Sequence, residues 1–259
     1  MTAAIALLAG GDSLTALRLG ASMVALQASI GALNDVIDAP SDAGRKPGKP
    51  IPSGLVAPAT ARIVAVLGAV TGLLLAAVSG WGVAALAAAS LGVGYAYDLW
   101  AKGTAWSWLP FAIGVPLLPV FAWYGATGGL PTSFAVLLPA AVAAGAALAM
   151  ANARADLERD LAAGHESVAI RLGSDRAWWL SALLLGVVLG VALGSLWLRG
   201  AATVALWASM AAGGVIAVGL GLARPAGESA ARRERAWEVQ AIGVAALAAA
   251  WLAGIGELE

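Results

Sequence analysis

Residues 34–54 read NDVIDAPSDAGRKPGKPIPSG, and this stretch is far more polar than the chain around it. It places three aspartates and three cations directly after an apolar run, in a chain with only 12% charged residues. Removing charge from water costs free energy unless the charge is paired or binds an ion. The stretch is therefore a candidate functional site rather than an ordinary connecting loop.

The composition is that of a membrane protein. Of the 259 residues, 61% are hydrophobic, the mean hydropathy is +0.85 and the formal net charge is zero, whereas soluble domains are roughly 45–50% apolar. The chain has no cysteine, which excludes disulfides, thiolate metal sites and cysteine nucleophiles. It has no long basic or acidic tail, so we expect no nucleic acid as a partner.

The apolar runs predict an all-α protein that crosses the membrane many times. A transmembrane helix needs about 20 apolar residues to cross a ~30 Å hydrocarbon core. Eight runs meet this requirement and are separated by Gly, Pro or charged residues: 13–33, 58–80, 82–100, 108–129, 131–152, 177–198, 201–222 and 236–255. Residues 2–10 are apolar but too short to cross, and we interpret them as the end of a first helix whose beginning is missing. We expect a polytopic helical bundle of about nine transmembrane helices, the first truncated, forming a single domain over residues 1–259.

The cations are distributed unequally between the two ends of these runs. Of the 15 Lys and Arg residues, all but Arg18 and Arg199 fall in or beside the segments 34–57, 101–107, 153–176 and 223–235. By the positive-inside rule these four segments face the cytoplasm. The predicted location is the plasma membrane of a bacterial cell, with the mouth of the site toward the cytoplasm. The C-terminal Glu257 and Glu259 are then expected outside.

The acidic pattern of the first stretch occurs a second time. N-x3-D-x3-D is found at two places, 118 residues apart: Asn34, Asp38 and Asp42, then Asn152, Asp156 and Asp160. This offset covers four spans and suggests an internal repeat of four helices. Residues i and i+4 of a helix project to one side, so each copy directs its acids to one point if the helix persists. Pro40 argues against helix beyond Asp38, because the residue before a proline disfavours the α region.

Two matched acidic copies at helix ends favour a divalent metal site. An aspartate at membrane depth costs about 2.5–3.5 kcal/mol on insertion scales, and crowded carboxylates also repel one another. Mg²⁺ relieves this cost because it takes oxygen ligands and is usually bound by one or two carboxylates together with substrate phosphates. The alternative is that the acids cap helices and pair with nearby Arg and Lys in a solvated loop, but a second matched copy favours the metal.

Basic residues beside the acids are candidates for phosphate contact, because charged donors bind phosphate oxygens strongly. Arg154 and Arg159 lie within the second copy, and Lys102 ends the segment YAYDLWAKG. In that segment Tyr95 and Tyr97 have aromatic faces that suit a cationic intermediate, although interfacial anchoring explains them equally well.

The remaining polar residues have simpler interpretations. Arg45, Lys46 and the 232–235 cluster are assigned to topology and lipid head groups. His165 is the only histidine, and we interpret it as a solvated loop residue rather than a general base, because no partner pattern selects it.

Four segments together form a recognisable pattern: ND-x-x-D-x-x-x-D at 34–42, KPIPSG at 49–54, D-x-x-x-D at 156–160 and RLG at 171–173. The pattern resembles that of the UbiA superfamily of intramembrane prenyltransferases, and the likeness in helix count and motif placement covers nearly the whole chain. The resemblance implies a UbiA-like helical fold with Mg²⁺ between two aspartate-rich motifs. It also implies transfer of a prenyl chain from a polyprenyl diphosphate to an aromatic or other lipophilic acceptor within the membrane, where membrane lipids are the surrounding partner.

The resemblance implies roles for individual residues as well. The implied metal ligands are Asn34, Asp35, Asp38, Asp42, Asp156 and Asp160, with Asp35 in support. The implied diphosphate contacts are Asn34, Lys49 and Lys102, to which the charge argument adds Arg159. The residues expected to be catalytic are Asp38, Asp156 and Tyr97.

Two segments depart from the family pattern. Tyr97 and Lys102 are one residue further apart than in the common Y-x-x-x-K form. Residues 164–167 read GHES where many members have a G-x-K-T-like segment, and a glutamate in place of the lysine removes one expected phosphate partner. These motifs therefore assign neither the acceptor nor the prenyl chain length.

Two other functions fit part of the pattern. A membrane terpene cyclase would ionise the same diphosphate without an acceptor. A secondary transporter also combines repeated halves with intramembrane acids, but its sites usually lie near the midplane at broken helices. Every paired acid in this chain is instead expected at a cytoplasmic helix end.

Overall fold

The structure is a computed structural model that describes residues 1–44, 48–224 and 229–256. Arg45, Lys46, Glu257 and Glu259, to which the sequence assigned positions, lie outside the described residues. Across the described residues the secondary structure is helical and includes no β-strand. The helices are α1 (Thr2–Leu8), α2 (Ser13–Asp42), α3 (Pro58–Ala77), α4 (Trp81–Ala96), a π-helix (Tyr97–Ala101) that continues α4, α5 (Leu109–Thr127), α6 (Phe134–Ala155), α7 (Leu157–Ala162), α8 (Val168–Leu172), α9 (Ser174–Leu198), α10 (Thr203–Leu222) and α11 (Ala230–Gly256).

Eight helices of the described chain are long and apolar enough to cross a membrane. They are α2 to α6 and α9 to α11, with the π-helix counted as part of α4, and they coincide with the eight predicted apolar runs. Large apolar side chains are exposed along them, as at Trp81 (89%) and Leu198 (85%). Such a surface suits contact with lipid tails and not with water. The prediction of an all-α, multi-pass membrane protein is therefore confirmed.

The chain forms two compact units, which divide α5 between them. The N-terminal unit comprises Thr2–Trp100 and Leu117–Gly128, and the C-terminal unit comprises Met1, Ala101–Pro116 and Gly129–Glu259. Each unit contains one copy of N-x3-D-x3-D at the carboxyl end of a long helix, α2 in the first and α6 in the second. The four-helix repeat that the motif spacing suggests stays a prediction.

In the N-terminal unit, α2 packs closely against α3. A Cβ added to Gly68 would lie 2.7 Å from the carbonyl oxygen of Ala25. The Ser29 hydroxyl donates a 2.6 Å hydrogen bond to the Ala65 carbonyl. Small residues and serine hydroxyls at such contacts replace the hydrophobic driving force that is absent between helices in lipid. They hold the helix that bears the first acidic motif.

In the C-terminal unit, α6 is the most enclosed of the candidate spans, because 61% of its most apolar stretch of 18 residues is buried. It packs against α9 and α11, and α10 packs against α9 and α11. The Ser181 hydroxyl on α9 donates a 3.0 Å hydrogen bond to the Ala147 carbonyl on α6. The small side chains of α6 allow these neighbours to approach closely.

Pro40 does not end α2, contrary to the argument from sequence. The helix continues through Pro40 to Asp42. A proline removes one backbone donor and crowds the carbonyl four residues earlier. Here that loss falls in the last turn of the helix, and the proline itself is exposed. Asn34 and Asp42 therefore belong to one continuous helix.

The second copy of the motif is interrupted instead. Asp156 (φ −94°, ψ 4°) separates α6 from α7. The hydrogen bonds between residues four apart nevertheless continue across the break. Asp156 N–H donates to the Asn152 carbonyl at 3.2 Å, and Asp160 N–H donates to the Asp156 carbonyl at 2.9 Å. The chain thus keeps about one helical turn between successive motif residues.

Candidate functional site

The first acidic motif occupies the last turns of α2 in the N-terminal unit. Asn34, Asp38 and Asp42 are four residues apart on one helix, so their side chains project to the same side. Asn34 and Asp38 are half-buried, and Asp42 is 2% exposed. The motif therefore presents one amide and two carboxylates in a row, and oxygen atoms of this kind are hard donors that suit Mg²⁺.

Asn34 is held by a residue of the π-helix. Its Nδ2 donates a 2.8 Å hydrogen bond to Oδ1 of Asp98. Asp98 is only 5% exposed and was not among the residues predicted to form the site. The first residue of the motif thus has a fixed partner on another helix of the same unit.

Lys49 is paired with the acid beside Asn34. Its Nζ lies 2.5 Å from Oδ1 of Asp35. Burial alone would lower the pKa of Lys49, but the hydrogen bond that Lys49 donates to Asp35 and the charges of Asp35, Asp42 and Asp38 outweigh it, so the pKa is raised. Lys49 is therefore firmly protonated next to the first acidic motif, as its predicted role in diphosphate binding requires.

The segment YAYDLWAKG contains the π-helix Tyr97–Ala101. A π-helix closes its hydrogen bonds between residues five apart, arises mostly as a single turn within an α-helix, and is frequent at functional sites. The additional residue between Tyr97 and Lys102 lies in this turn, so the unusual spacing has a local structural explanation. Tyr95, which precedes the turn, has its hydroxyl 2.7 Å from Ser29 Oγ and so joins α4 to α2.

The second acidic motif lies at the junction of α6 and α7 in the C-terminal unit. Arg159 forms an ion pair with Asp156, and the two side chains are 21% and 25% exposed. Asp160 is 7% exposed. The Arg159 predicted to contact phosphate is thus already directed toward a motif carboxylate.

Buried arginines brace the backbone at this junction. Arg233 of α11 is 7% exposed; its Nε donates a 2.8 Å hydrogen bond to the Arg154 carbonyl, and its Nη2 binds the Glu158 carboxylate of α7. Arg154 is 3% exposed and donates from Nη1 to the Ala223 carbonyl at 3.1 Å. The assignment of Arg233 to topology and lipid head groups is therefore wrong, because its guanidinium is enclosed and bonded within the protein.

The contact with Arg233 lowers the pKa of Glu158. Burial would raise the pKa of Glu158, but its hydrogen bond with Arg233 outweighs the burial, so the pKa lies below its ordinary value. The carboxylate is consequently charged at neutral pH, and it links the first turn of α7 to α11.

The loop after α7 packs against the loop after the π-helix. Glu166 N–H donates a 2.9 Å hydrogen bond to the Gly103 carbonyl. Gly103 has φ +72°, and a Cβ there would lie 2.7 Å from His165 Nδ1, so this turn requires glycine. His165 is about half exposed, with Nδ1 3.4 Å from Asp160 Oδ1. Lys102 directly precedes Gly103, the residue that is bonded to the loop after the second motif.

The oxygen donors fit a metal that is bound together with its substrate. Within residues 1–44, 48–224 and 229–256, no group of three or more Asp, Glu or His side chains is arranged as a metal site. Mg²⁺ rarely uses an all-protein site: it keeps several waters and takes one or two carboxylates plus substrate phosphates. The half-buried Asp38 and Asp156, with lysine and arginine beside them, are suitable for that mode of binding.

The sequence as a whole identifies the family. A model of the UbiA prenyltransferase family matches residues 1–242. The chain belongs to the UbiA prenyltransferase family. This match confirms both the predicted family and the predicted class of enzyme, a prenyltransferase. No curated protein matches the chain in sequence.

Solved structures of other proteins share the fold of this UbiA family member. An apo UbiA homologue from Aeropyrum pernix K1 has a TM-score of 0.77 at 17% identity, covering 99% of this chain and 94% of that one. A digeranylgeranylglyceryl phosphate synthase has a TM-score of 0.72 at 16% identity, covering 99% and 92%. A UbiA homologue from Archaeoglobus fulgidus bound to DMAPP and Mg²⁺ has a TM-score of 0.69 at 14% identity, covering 95% and 94%. The predicted UbiA-like helical arrangement is confirmed, and the predicted cofactor is the ion present in the last of these relatives.

Three residues that brace the acidic motifs of this family member were missed from the sequence. Asp98 is a single acid in an aromatic segment, and Glu158 and Arg233 look like ordinary surface charges beside helix ends. Their partners lie 64 to 79 residues away along the chain, so local spacing provides no signal for them.

Proposed function

We propose that this UbiA family member transfers a prenyl chain from a polyprenyl diphosphate to an aromatic or other lipophilic acceptor within the membrane, using Mg²⁺. The observation that carries the proposal is the family match over residues 1–242, joined to two acidic motifs that keep their oxygen donors at helix ends. The Archaeoglobus fulgidus homologues bound to Mg²⁺ with DMAPP or with GPP support both the cofactor and the substrate class. The activity is assigned to residues 1–259 as one domain.

The first motif provides one set of metal ligands. Asn34, Asp38 and Asp42 offer oxygen atoms from one side of α2, and Asp35 supports them. When bound, Mg²⁺ neutralises the diphosphate and stabilises the charge that develops on it as the allylic C–O bond breaks. Lys49, kept protonated by its acidic neighbours, donates to diphosphate oxygens.

The second motif provides the other set. Asp156 and Asp160 offer carboxylates, and Arg159 donates to the diphosphate. The ion pair of Arg159 with Asp156 supports this assignment, because a guanidinium held beside a metal-binding carboxylate is placed where phosphate charge arrives. Asp38 and Asp156 are the two residues on which turnover depends most.

The aromatic segment serves the leaving group and the carbocation. Tyr97 presents its ring to the allylic cation, and Lys102 contacts the diphosphate. The π-turn between them supports the assignment of Lys102, because the turn takes up the residue by which this segment exceeds the family's spacing. The protein must also exclude water from the cation and hold the acceptor within reach.

The enzyme is placed in the plasma membrane of a bacterial cell, with its diphosphate site toward the cytoplasm. The concentration of cations in the segments that contain both motifs supports this orientation. A site at that face receives a charged diphosphate from the cytosol while the prenyl chain stays in the lipid.

A product assay tests the proposal. Purified protein in vesicles is incubated with a labelled polyprenyl diphosphate, Mg²⁺ and a lipid extract from a strain that lacks the gene. We expect label in a new prenylated lipid, lost with EDTA. A cyclised hydrocarbon would identify a terpene cyclase, and unchanged diphosphate would overturn the proposal. Comparing lipid extracts of the deletion strain and its parent then identifies the acceptor.

A further inference from the structure

Asp98 is a buried acid to which the predicted site assigns no role. It lies in the π-helix Tyr97–Ala101 and is 5% exposed, whereas the next two residues, Leu99 and Trp100, are 67% and 70% exposed. The π-turn therefore directs an acid inward and two large apolar side chains outward. Enclosing a carboxylate is unfavourable unless it is bonded, so the bond that Asp98 makes has structural significance.

The bond to Asn34 fixes the orientation of an amide. A side-chain amide has an oxygen that only accepts and an NH₂ group that only donates, and an ionised carboxylate only accepts. Asn34 Nδ2 donates to Asp98 Oδ1 at 2.8 Å, so the NH₂ group of Asn34 faces Asp98. The amide oxygen of Asn34 is then the atom that faces away from Asp98.

A cation discriminates between these two orientations. Mg²⁺ binds an amide through its oxygen, and an NH₂ group in the same place would repel it. A residue that fixes the orientation of a ligand from behind commonly changes metal affinity by a factor of about 10 to 100 when it is removed.

We propose that Asp98 is a positioning residue that keeps the Asn34 amide oxygen available to Mg²⁺. The inference rests on the proposed function, in which Asn34 is a metal ligand. In this role Asp98 acts through Asn34 rather than by contacting the metal or the substrate. The π-helix contributes to this role because it contains Asp98 and so places the acid beside Asn34, the first residue of the motif.

Metal binding is the direct test. Purified protein in detergent is titrated with Mn²⁺ in the presence of inorganic pyrophosphate, and free Mn²⁺ is followed by electron paramagnetic resonance. Asp98→Leu removes the hydrogen-bond acceptor and puts an apolar side chain of similar size in its place. We expect it to weaken Mn²⁺ binding by about 10-fold or more. The control Asp175→Asn changes an exposed acid in the first turn of α9 and should leave Mn²⁺ affinity unchanged.

An exchange of the two side chains separates positioning from a general structural role. The double variant Asn34→Asp with Asp98→Asn reverses the donor and acceptor and again leaves an oxygen facing the metal. We expect it to recover most of the Mn²⁺ affinity that Asp98→Leu loses. If Asp98→Leu does not fold, the exchanged protein is measured alone, and Mn²⁺ affinity more than about 10-fold below wild type overturns the inference.

The outcomes distinguish this inference from the proposed function. If the wild-type protein binds Mn²⁺, Asp38→Asn abolishes that binding and Asp98→Leu binds as tightly as the wild type, only the role of Asp98 is overturned. Absence of Mn²⁺ binding in the wild-type protein with pyrophosphate overturns the proposed function itself.

Discussion

Lys49 Nζ lies 2.5 Å from Asp35 Oδ1, so the cation that follows the first acidic motif is bonded to an acid of that motif. Asp35 is one residue from Asn34 and therefore lies off the side of α2 shared by Asn34, Asp38 and Asp42. The pair thus holds a positive charge beside the proposed metal ligands of α2.

The ion pair of Lys49 with Asp35 should stabilise the folded protein at neutral pH and lose this effect at alkaline pH. Because the folded protein raises the pKa of Lys49, the contribution is fully present below the ordinary lysine value of about 10.4 and is lost as pH rises through the folded pKa. We expect Lys49→Met to lower the thermal midpoint in detergent between pH 7 and 9 by a small amount, since such partly exposed pairs contribute about 0–1 kcal/mol. The difference from wild type should shrink above about pH 10.4.

Arg62→Met is the control for that experiment, because Arg62 is an exposed cation on the first turns of α3. It should change the midpoint little at any pH. A Lys49→Met difference that grows with pH would contradict the pairing.

The acidic motifs should be needed for turnover and not for folding. We expect Asp38→Asn and Asp156→Asn each to reduce prenyl transfer by at least about 100-fold, as loss of a group that stabilises transition-state charge commonly does. Membrane insertion and thermal midpoint should stay close to wild type, because asparagine keeps the size and the acceptor oxygen. Product formation from a labelled diphosphate measures the first effect.

The same substitution at Asp175, an exposed acid outside both motifs, serves as the matched control and should retain full activity. Near-normal turnover in either motif variant would remove that residue from the metal site.

Arg233 should contribute more to stability and to turnover than its neighbour Arg232. Arg233→Met breaks the bonds to the Arg154 carbonyl and to Glu158, and a lost charge-assisted hydrogen bond costs about 1.5–3 kcal/mol. We expect a lower thermal midpoint and reduced turnover, since the brace holds the chain on both sides of Asp156. Arg232→Met alters an exposed arginine one residue earlier and should be close to wild type; equal effects of the two variants would contradict the brace.

Acid pH probes the same contact from the carboxylate. The pKa of Glu158 is lowered in the folded protein, so its contribution is present above the ordinary glutamate value of about 4.3 and is lost as pH falls through the folded pKa. Glu158→Gln should therefore lower the thermal midpoint at pH 7, and the difference from wild type should shrink toward pH 3. A difference that is constant from pH 7 to pH 3 would show that the charge of Glu158 has no part in it.

Most of the membrane architecture follows from the sequence, because lipid imposes one simple requirement. Every span needs a long apolar run, and the run that begins at Pro58 and the one that ends at Leu222 both coincide with helices. The four-residue spacing of the acids also survives along the chain in both motifs, and their role as metal ligands stays a prediction. The Mg²⁺ chemistry follows from residue type rather than from tertiary detail.

The exceptions depend on contacts that sequence spacing does not encode. α2 continues past Pro40 because the hydrogen bond that the proline removes falls in the last turn of the helix. Asp98, in the π-helix, is bonded to Asn34, which lies 64 residues earlier in the chain. Arg233 resembles a cation for lipid head groups until its guanidinium is found enclosed, 79 residues from the carbonyl that it binds.

Gly145 should be the least replaceable small residue of α6. A Cβ at Gly145 would lie 2.7 Å from the carbonyl carbon of Phe111 and 2.9 Å from Cα of Ala112, with the Phe111 oxygen closer still. These atoms belong to the backbone of α5 and cannot rotate away, so Gly145→Ala must separate the two helices. Overpacking of this kind costs about 1–3 kcal/mol, although alanine alone would favour a helix over glycine by about 1 kcal/mol. Gly190→Ala in α9, where nothing lies within 4 Å of the added Cβ, isolates the second effect. We expect the thermal midpoint in detergent to fall for Gly145→Ala and to stay level or rise for Gly190→Ala; a midpoint that rises in both would mean that α5 and α6 are not in contact at Gly145.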